Sequence, residues 1–179
     1  MQWIQQWDEA VVLWIRQYLY SPALDVIMKA VSFLGDHGMI WIGAAILLLI
    51  MEKGRKKSWA GVLAASLAVS ALITNIFLKP CVARLRPYDK LCLDIMVPAL
   101  QDFSFPSGHT TAAFAGAVVI WHWNPKWGKA ALLFSVVMAF SRIYLSLHYP
   151  TDVIAGAVVG SFSAWLVLYI GLKTKCISK

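Results

Sequence analysis

Long apolar runs separated by short polar segments make up most of the chain. The runs cover residues 22–34, 39–51, 59–78, 107–123, 130–147 and 153–172. About 20 apolar residues in an α-helix cross the roughly 30 Å hydrocarbon core of a bilayer, and the shorter runs need their flanking residues to do so. The pattern therefore predicts an all-α integral membrane protein with six transmembrane helices in a bundle.

The first 20 residues have a different pattern, in which apolar side chains recur at steps of three and four. Those positions are Trp3, Ile4, Trp7, Ala10, Val11, Trp14, Ile15 and Tyr18. Acidic and amide side chains lie mostly between them, which indicates an amphipathic helix in the membrane interface. Packing of this helix on the other helices is the alternative. We expect an N-terminal helix over 1–20, a transmembrane domain over 21–173 and a cytoplasmic tail over 174–179.

Proline and polar residues indicate where the helices end. Proline disfavours a helical residue before it, so Lys79-Pro80 is expected to end the third transmembrane helix. A short loop is predicted over 124–129. The polar connection over 80–105 is the longest in the chain, and long connections in compact domains favour a functional role.

Two spacings of four residues predict contacts. Asp25 and Lys29 fall on one face of a helix, where their opposite charges can pair. Gly156 and Gly160 form a small-residue face in the last transmembrane helix, which predicts close contact with a neighbouring helix. We assign the two glycines to packing and not to chemistry.

Composition favours the membrane class and excludes others. Hydrophobic residues make up 60% of the chain and charged residues 14%, whereas soluble domains have about 25% charged residues. The net charge of +7 comes from short basic groups between the apolar runs, so we expect no nucleic-acid partner. The three cysteines form no CxxC pair and no zinc spacing, and neither a metal nor a cofactor is predicted. A disulfide between Cys81 and Cys92 is left open.

The distribution of Lys and Arg predicts the orientation in the membrane. With alternating spans, ten of these residues fall on one side, namely Arg16, Lys53, Arg55, Lys56, Lys57, Lys126, Lys129, Lys173, Lys175 and Lys179. Five fall on the other side, namely Lys79, Arg84, Arg86, Lys90 and Arg142. The positive-inside rule makes the first side cytoplasmic. Both termini are then cytoplasmic, and the connection over 80–105 lies outside.

This topology brings three polar clusters to the outer membrane face. They are Lys79 with Arg86, then Ser107, Gly108 and His109, and last Arg142, His148 and Asp152. Two arginines and a lysine at helix ends form a receptor for a multiply charged oxyanion, and phosphate fits this description. Ser107 is a predicted N-cap, so the backbone N–H groups that follow it lie at the positive end of a helix dipole and favour the same anion.

The two histidines can supply the reactive groups. Asp152 lies four residues after His148, in the first turn of a helix started by Pro150, and is expected to bend back to one imidazole nitrogen. The other nitrogen is then free to act as a nucleophile or base. His109, on a different helix, can protonate a departing oxygen. Arg142 and His148 would point roughly 120° apart on a straight helix, so we expect the helix to end before His148.

Together the clusters closely resemble the three-part signature of the type 2 phosphatidic acid phosphatase family, which includes glucose-6-phosphatases and vanadium haloperoxidases. The matching segments are Lys79-x6-Arg86-Pro87, Pro106-Ser107-Gly108-His109 and Ser141-Arg142-x5-His148-x3-Asp152. The resemblance covers about residues 22–172 and implies a metal-independent double displacement. It implies that His148 attacks phosphorus, Asp152 orients His148, and His109 protonates the leaving group. The implied phosphate-binding residues are Lys79, Arg86, Ser107, Gly108 and Arg142.

The resemblance implies a lipid phosphatase in the inner membrane of a bacterium, with membrane lipids around it and the site facing the periplasm. Undecaprenyl diphosphate is the expected substrate, and phosphatidylglycerophosphate and phosphatidic acid are alternatives. Phosphotransfer to another lipid uses every catalytic residue in the same way and stays open. An anion transporter needs charged residues along a path through the bilayer, whereas the inner halves of these spans are apolar.

The remaining polar residues are assigned structural roles. Arg84 is interpreted as a solvated loop charge, although a contact with substrate is the alternative. His122 lies between two tryptophans near the inner end of the fourth span, which is typical of an interfacial aromatic belt. The carboxylates Asp89, Asp94 and Asp102 are interpreted as parts of a solvated loop, with a bound divalent ion as the alternative.

Overall fold

The computed structural model describes residues 2–52 and 58–177, and within these ranges the chain is helical and contains no strand. The helices are α1 (Gln2–Tyr18), α2 (Pro22–Gly35), α3 (Met39–Met51), α4 (Trp59–Ala71), α5 (Lys79–Val82), α6 (Pro87–Lys90), α7 (Gly108–Trp123), α8 (Pro125–Tyr144) and α9 (Pro150–Lys173). A 3₁₀ turn, Asp36–Gly38, joins α2 to α3, and a π-helical segment, Leu72–Leu78, joins α4 to α5. Residues 53–57, which contain four of the ten basic residues assigned to the cytoplasmic side, lie outside the described residues.

Helix α7 lies at the centre of the bundle and packs against α4, α8 and α9. Its buried face consists mainly of small residues, which lets the neighbouring backbones approach closely. The closest approach is to α9, where a Cβ added to Gly160 would lie 2.1 Å from the carbonyl oxygen of Thr111. A Cβ added to Gly156 would lie 2.7 Å from the carbonyl oxygen of Ser107. The predicted packing role of the two glycines is confirmed.

We expect Gly160→Ala to lower the melting temperature of the detergent-solubilised protein. The new methyl group would collide with the backbone of α7, and overpacking of this kind costs about 1–3 kcal/mol. Gly43→Ala in α3 is the matched control, because a Cβ at that position meets no atom within 4 Å. Its melting temperature should not fall. Equal melting temperatures for Gly160→Ala and the wild type would contradict the close packing of α7 on α9.

The third predicted span does not end at Lys79-Pro80, and this prediction was wrong. Helical backbone continues through Val82 and turns at Ala83, whose φ of 48° is left-handed. The N–H of Lys79 donates to the carbonyl oxygen of Thr74, five residues back, as in a π-helix. We attribute the continuation to this wider turn, which accommodates a proline that has no N–H to donate. Lys79 therefore lies on a helical extension of α4.

Helix α8 begins earlier and ends earlier than the apolar run predicts. It starts at Pro125, and Asn124 caps it by accepting hydrogen bonds from the N–H groups of Lys126 and Trp127. The predicted loop over 124–129 was therefore wrong. Its end at Tyr144 confirms the prediction that the helix stops before His148. The start of α8 is thus set by Asn124, whereas its end at Leu145 is capped by backbone hydrogen bonds alone.

The predicted pairing of Asp25 with Lys29 was also wrong. The Asp25 carboxylate accepts a hydrogen bond of 2.6 Å from the hydroxyl of Tyr144, at the end of α8. The hydroxyl of Tyr144 in turn accepts from the backbone N–H of Ser21 at 3.2 Å. The Asp25 side chain therefore ties α2 to α8, and no ion pair with Lys29 occurs among the described residues.

Helix α1 packs along one face on α8 and α9, and its buried residues are Asp8, Val12 and Ile15. Its opposite face exposes large aromatic side chains, namely Trp3, Trp7, Trp14 and Tyr18. Exposed aromatic rings suit the membrane–water interface, where an apolar ring body and a polar tip find different surroundings. The packed face was the alternative to a purely interfacial helix, and the interfacial position itself stays a prediction.

Two helical stretches in the described residues are long and apolar enough to cross a membrane by themselves. They are Trp59–Lys90 and Pro150–Lys173, and α2 with α3 makes a third if this bent pair counts as one span. Large apolar side chains are exposed along α3, α8 and α9, as expected of a surface in contact with lipid. The membrane class is therefore supported, and the count of six spans stays a prediction.

Candidate active site

The three polar clusters predicted from the sequence meet at one end of the bundle. Lys79 comes from α5 and Arg86 from the segment before α6, while Ser107, Gly108 and His109 come from the start of α7. Arg142 lies in the last turn of α8, and Asp152 lies in the first turn of α9. His148 lies in the loop between α8 and α9, where its N–H donates to the carbonyl oxygen of Arg142 at 3.2 Å. All eight predicted site residues are thus brought together.

The imidazole of His148 is buried and held from both sides. Its Nδ1 lies 2.8 Å from the carbonyl oxygen of Ser104, and its Nε2 lies 3.2 Å from a guanidinium nitrogen of Arg86. A carbonyl oxygen can only accept, so Nδ1 carries the proton, and the lone pair of Nε2 accepts a hydrogen bond from Arg86. Asp152 was expected to bind one nitrogen directly, but its carboxylate lies 3.7 Å from Nδ1. Ser104 occupies the position that the sequence assigned to Asp152.

Burial and the neighbouring charges keep His148 neutral. Loss of solvation together with the charge of Arg86 lowers the pKa of His148 to about 3, although the nearby Asp152 carboxylate opposes this change. A lowered pKa means that the uncharged ring persists at pH values well below the ordinary midpoint near 6.5. Nε2 is therefore unprotonated in the physiological range, as a nucleophile requires.

Asp152 is fully buried and accepts three hydrogen bonds around its carboxylate. They come from the hydroxyl of Ser104 at 2.5 Å, the N–H of Tyr149 at 2.9 Å and the guanidinium of Arg84 at 2.6 Å. The backbone carbonyl of Asp152 accepts from the N–H of Ser107 at 3.0 Å, which joins the start of α9 to the start of α7. Asp152 therefore positions Ser104, whose carbonyl oxygen holds His148.

Three cations line the site and are almost completely buried. Lys79 is 6% exposed, Arg86 2% and Arg142 1%. One carboxylate, that of Asp102, pairs with both Lys79 and Arg86, and its distance to Arg86 is 2.6 Å. Although burial raises the pKa of Asp102, Lys79 and Arg86 lower it to about 2. Asp102 is half-exposed, as expected of a loop residue, but it also pairs with two cations of the site, which the sequence did not predict.

Arg142 has no carboxylate partner among the described residues. One of its guanidinium nitrogens donates to the hydroxyl of Ser32, and its buried Nε has no hydrogen-bond partner. Buried charges are normally paired, so an unpaired guanidinium needs another explanation. A site with three buried cations and one carboxylate has room for an anion of multiple charge.

The start of α7 faces the same space. Ser107 caps the helix, and its hydroxyl accepts from the N–H of Thr110, as the sequence predicted. A Cβ added to Gly108 would lie 3.9 Å from the Lys79 ammonium nitrogen, so the helix N-terminus and this cation are adjacent. Free N–H groups at the positive end of a helix dipole favour an oxyanion at this position.

His109 borders a cavity of about 490 Å³ that extends from Lys79 into the bundle. Its Nε2 lies 2.8 Å from a carboxylate oxygen of Asp36, in the 3₁₀ turn before α3. The cavity wall near the cations is formed by Lys79, Asp102, Gly108 and His109. Further along, the wall consists of residues from α3, α4 and the π-helical segment, including Ile42, Leu67, Ala71 and Thr74. The cavity thus connects a polar end with an apolar interior.

Sequence reasoning missed several residues that contact the site. Arg84, interpreted as a solvated charge, is 16% exposed and pairs with two fully buried carboxylates, Asp8 and Asp152. Asp36 and Ser104 were not singled out at all. One signal was available, because Asp8 lies four residues from both Ile4 and Val12 and thus on the apolar face of α1. A carboxylate in such a position needs a buried partner.

Other groups lie away from this site. His122 is exposed near the far end of α7, and its Nδ1 lies 2.8 Å from the carbonyl oxygen of Val118. Cys81, Cys92 and Cys176 are exposed and free, so the disulfide left open between the first two is absent. In the part of the chain that the structure describes, no group of three or more His, Cys, Asp or Glu side chains is arranged to hold a metal ion.

Comparison with known proteins identifies the family. The PAP2 superfamily matches residues 59–175. An undecaprenyl-diphosphatase of Sulfolobus acidocaldarius is 33% identical over 142 residues, and the match covers 77% of this chain and 68% of that protein. A lipid A 4'-phosphatase of Bacteroides thetaiotaomicron is 32% identical over 171 residues, with 87% of this chain and 73% of that protein covered.

The fold agrees with this assignment. The crystal structure of a transmembrane PAP2-type phosphatidylglycerolphosphate phosphatase from Bacillus subtilis superposes with a TM-score of 0.82 at 24% identity, and covers 97% of this chain and 88% of that chain. The resemblance drawn from the three polar clusters is thereby confirmed. The chain belongs to the PAP2 superfamily and is a membrane lipid phosphatase.

Proposed function

We propose that the protein removes the terminal phosphate of undecaprenyl diphosphate and leaves undecaprenyl phosphate in the membrane. The observation that carries this proposal is the buried imidazole of His148, whose Nε2 lies 3.2 Å from a guanidinium nitrogen of Arg86 at the polar end of the site. A cavity with a mainly apolar interior is bordered by Lys79 and His109 and suits a phosphate group attached to a lipid. Among the relatives, the Sulfolobus acidocaldarius protein is named for this substrate.

The reaction is a double displacement. Nε2 of His148 attacks the terminal phosphorus and forms an N–P bond, while the bond from phosphorus to the bridging oxygen breaks. His109 donates a proton to that oxygen, and undecaprenyl phosphate leaves. His109 then accepts a proton from water, which attacks the phosphohistidine, breaks the N–P bond and releases inorganic phosphate. Asp36, at 2.8 Å from Nε2 of His109, holds this acid in position.

Electrostatic stabilisation supplies the remaining catalysis. Lys79, Arg86 and Arg142 bind the phosphoryl oxygens, together with the cap residue Ser107 and the N–H of Gly108. The negative charge of Asp152 favours the positively charged imidazole that forms when His148 is phosphorylated. Each of these interactions uses charges and N–H groups of the protein, so we expect the reaction to need no metal ion.

The membrane arrangement follows from the same assignment. The site lies at the outer face of the inner membrane, α1 lies in the outer interface, and the C-terminus is cytoplasmic. The sequence predicted a cytoplasmic N-terminus as well, but Arg16 of α1 donates to the carbonyl oxygen of Asp94 in the connection over 80–105, and Asp8 accepts from the N–H of Thr151 at the start of α9. A helix α1 beside the site puts the N-terminus on the outer side, so a cytoplasmic N-terminus is not part of this proposal. The lipid tail leaves the cavity laterally between α3 and α4, which both contribute to its wall. The domain division over 1–20, 21–173 and 174–179 stays a prediction.

The test is phosphate release by detergent-purified protein from undecaprenyl diphosphate, phosphatidylglycerophosphate and phosphatidic acid, each assayed with EDTA present. We expect kcat/KM to be at least about tenfold higher for undecaprenyl diphosphate, because the site must be matched to a diphosphate. A higher kcat/KM for another lipid would reject the proposed substrate. Loss of all activity in EDTA would reject the metal-independent mechanism, and transfer of phosphate to an added lipid instead of water would identify a phosphotransferase.

A further inference from the structure

We propose that Asp8, in the N-terminal helix, is a positioning residue for the catalytic histidine and acts through Arg84 and Asp152. This inference rests on the proposed function of His148 as the nucleophile. It assigns α1 a part in catalysis besides its contact with the bundle. Helix α1 precedes the segment that matches the family, which begins at residue 59.

Hydrogen-bond donors surround the negatively charged side chain of Asp8. The residue has no exposed surface. One carboxylate oxygen accepts the N–H of Thr151 at 3.0 Å, and the other accepts the Thr151 hydroxyl at 2.5 Å and a nitrogen of Arg84 at 2.6 Å. Thr151 is the residue before Asp152, so Asp8 holds the backbone of the first turn of α9 as well as Arg84.

Arg84 joins the two carboxylates with different nitrogens. One guanidinium nitrogen donates to Asp8, and the other donates to Asp152 at 2.6 Å. Its guanidinium carbon lies 4.0 Å from the centroid of the Tyr149 ring, so the fork is held between this ring and the two acids. Arg84 thus bridges the two carboxylates, and the same nitrogens also donate to the side chains of Gln5 and Thr151.

The link continues from Asp152 to the nucleophile. Asp152 accepts the hydroxyl of Ser104, and the carbonyl oxygen of Ser104 holds Nδ1 of His148. Phosphorylation of Nε2 makes the imidazole positive, and the net negative charge of the Asp8–Arg84–Asp152 group stabilises that state. Without the charge of Asp8, Arg84 pairs with Asp152 alone and neutralises it. The phosphoryl-transfer step should then slow down, whereas the phosphate-binding cations are unaffected.

The experiment measures kcat and the inhibition constant of orthovanadate for Asp8→Asn, with the lipid phosphate that the wild type hydrolyses fastest. We expect kcat to fall about tenfold and the vanadate inhibition constant to change by less than twofold. Glu9→Gln is the matched control, because it removes a carboxylate from the same helix and breaks the 2.7 Å ion pair with Lys90. Its kcat should stay within twofold of the wild type.

A second variant separates positioning from simple anchoring of α1. Arg84→Lys keeps the charge but can contact one carboxylate at a time, and we expect a similar fall in kcat. The double variant should be no slower than the slower single variant, because both changes break one chain of contacts. If Asp8→Asn does not fold, Arg84→Lys provides the test. A lower kcat with an unchanged vanadate inhibition constant would support the proposal, and an unchanged kcat would contradict it.

Three results would overturn the proposal. They are a kcat of Asp8→Asn within twofold of the wild type, an equal loss in Glu9→Gln, and losses that multiply in the double variant. A wild type that hydrolyses no lipid phosphate rejects the proposed function itself and this inference with it. An active wild type whose kcat does not depend on Asp8 or Arg84 rejects the inference alone.

Discussion

His148→Ala is expected to lower kcat by about 10⁴-fold or more and to abolish phosphate labelling of the protein. No other residue of the site can replace the nucleophile. In other enzymes with covalent intermediates, removal of the nucleophile has effects of this order. The variant should fold, because the buried ring is replaced by a smaller apolar group and Arg86 keeps its hydrogen bonds to the carbonyl oxygens of Asp102 and Leu147.

The measurement combines phosphate release with alkaline quenching of a reaction on substrate labelled in its terminal phosphate. Phosphohistidine survives alkali, so the wild type should retain label on the protein and His148→Ala should retain none. His122→Ala is the matched control, since this exposed histidine near the far end of α7 contacts a backbone carbonyl and no site residue. Activity of His148→Ala within tenfold of the wild type, or label that persists in it, would show that another residue is the nucleophile.

Helix boundaries were predictable where an apolar run had clear ends. The run over 39–51 gave the observed bounds of α3, because Gly38 precedes it and charged residues follow. The start of α8 was not predicted, because Lys126, Trp127 and Lys129 give its first turn the composition of an interfacial loop. Asn124 followed by a proline is nevertheless a signal for a helix start. The continuation past Pro80 depends on a π-helical segment, and apolar residues alone do not distinguish π-helical from α-helical hydrogen bonding.

The site was predictable to the extent that it depends on helix ends. Once successive spans were taken to alternate in direction, residues at the helix ends on one side of the bundle were expected to lie together, and they do. The supporting contacts were not predictable in this way. Asp8 and Arg84 are 76 residues apart and Ser104 and Asp152 are 48 apart, and their pairing depends on how the helices pack. A carboxylate on an apolar helix face shows that a partner must exist but does not identify it.

Replacement of Arg142, whose guanidinium has no carboxylate partner among the described residues, should lower activity without lowering stability. We expect Arg142→Met to lower kcat/KM by about 10²–10³-fold, which is typical for loss of one preorganised donor to transition-state charge. We also expect the melting temperature without ligand to be unchanged or higher. A buried charge without a partner is unfavourable, and apolar replacement of buried charges has raised stability by about 1–4 kcal/mol in other proteins. Methionine has nearly the length of the arginine stem and fills the same space.

Orthovanadate distinguishes this explanation from a general weakening of the site. An anion at 100 times its dissociation constant stabilises a folded protein by about 2.7 kcal/mol, so the melting temperature of the wild type should rise when vanadate is added. Arg142→Met should show a much smaller rise. Lys90→Met is the matched control, because Lys90 is a half-exposed cation that pairs with Glu9 outside the site, and the variant should keep both its activity and the vanadate response. A melting temperature of Arg142→Met well below that of the wild type, with kcat/KM within fivefold, would mean that Arg142 stabilises the fold and does not bind phosphate.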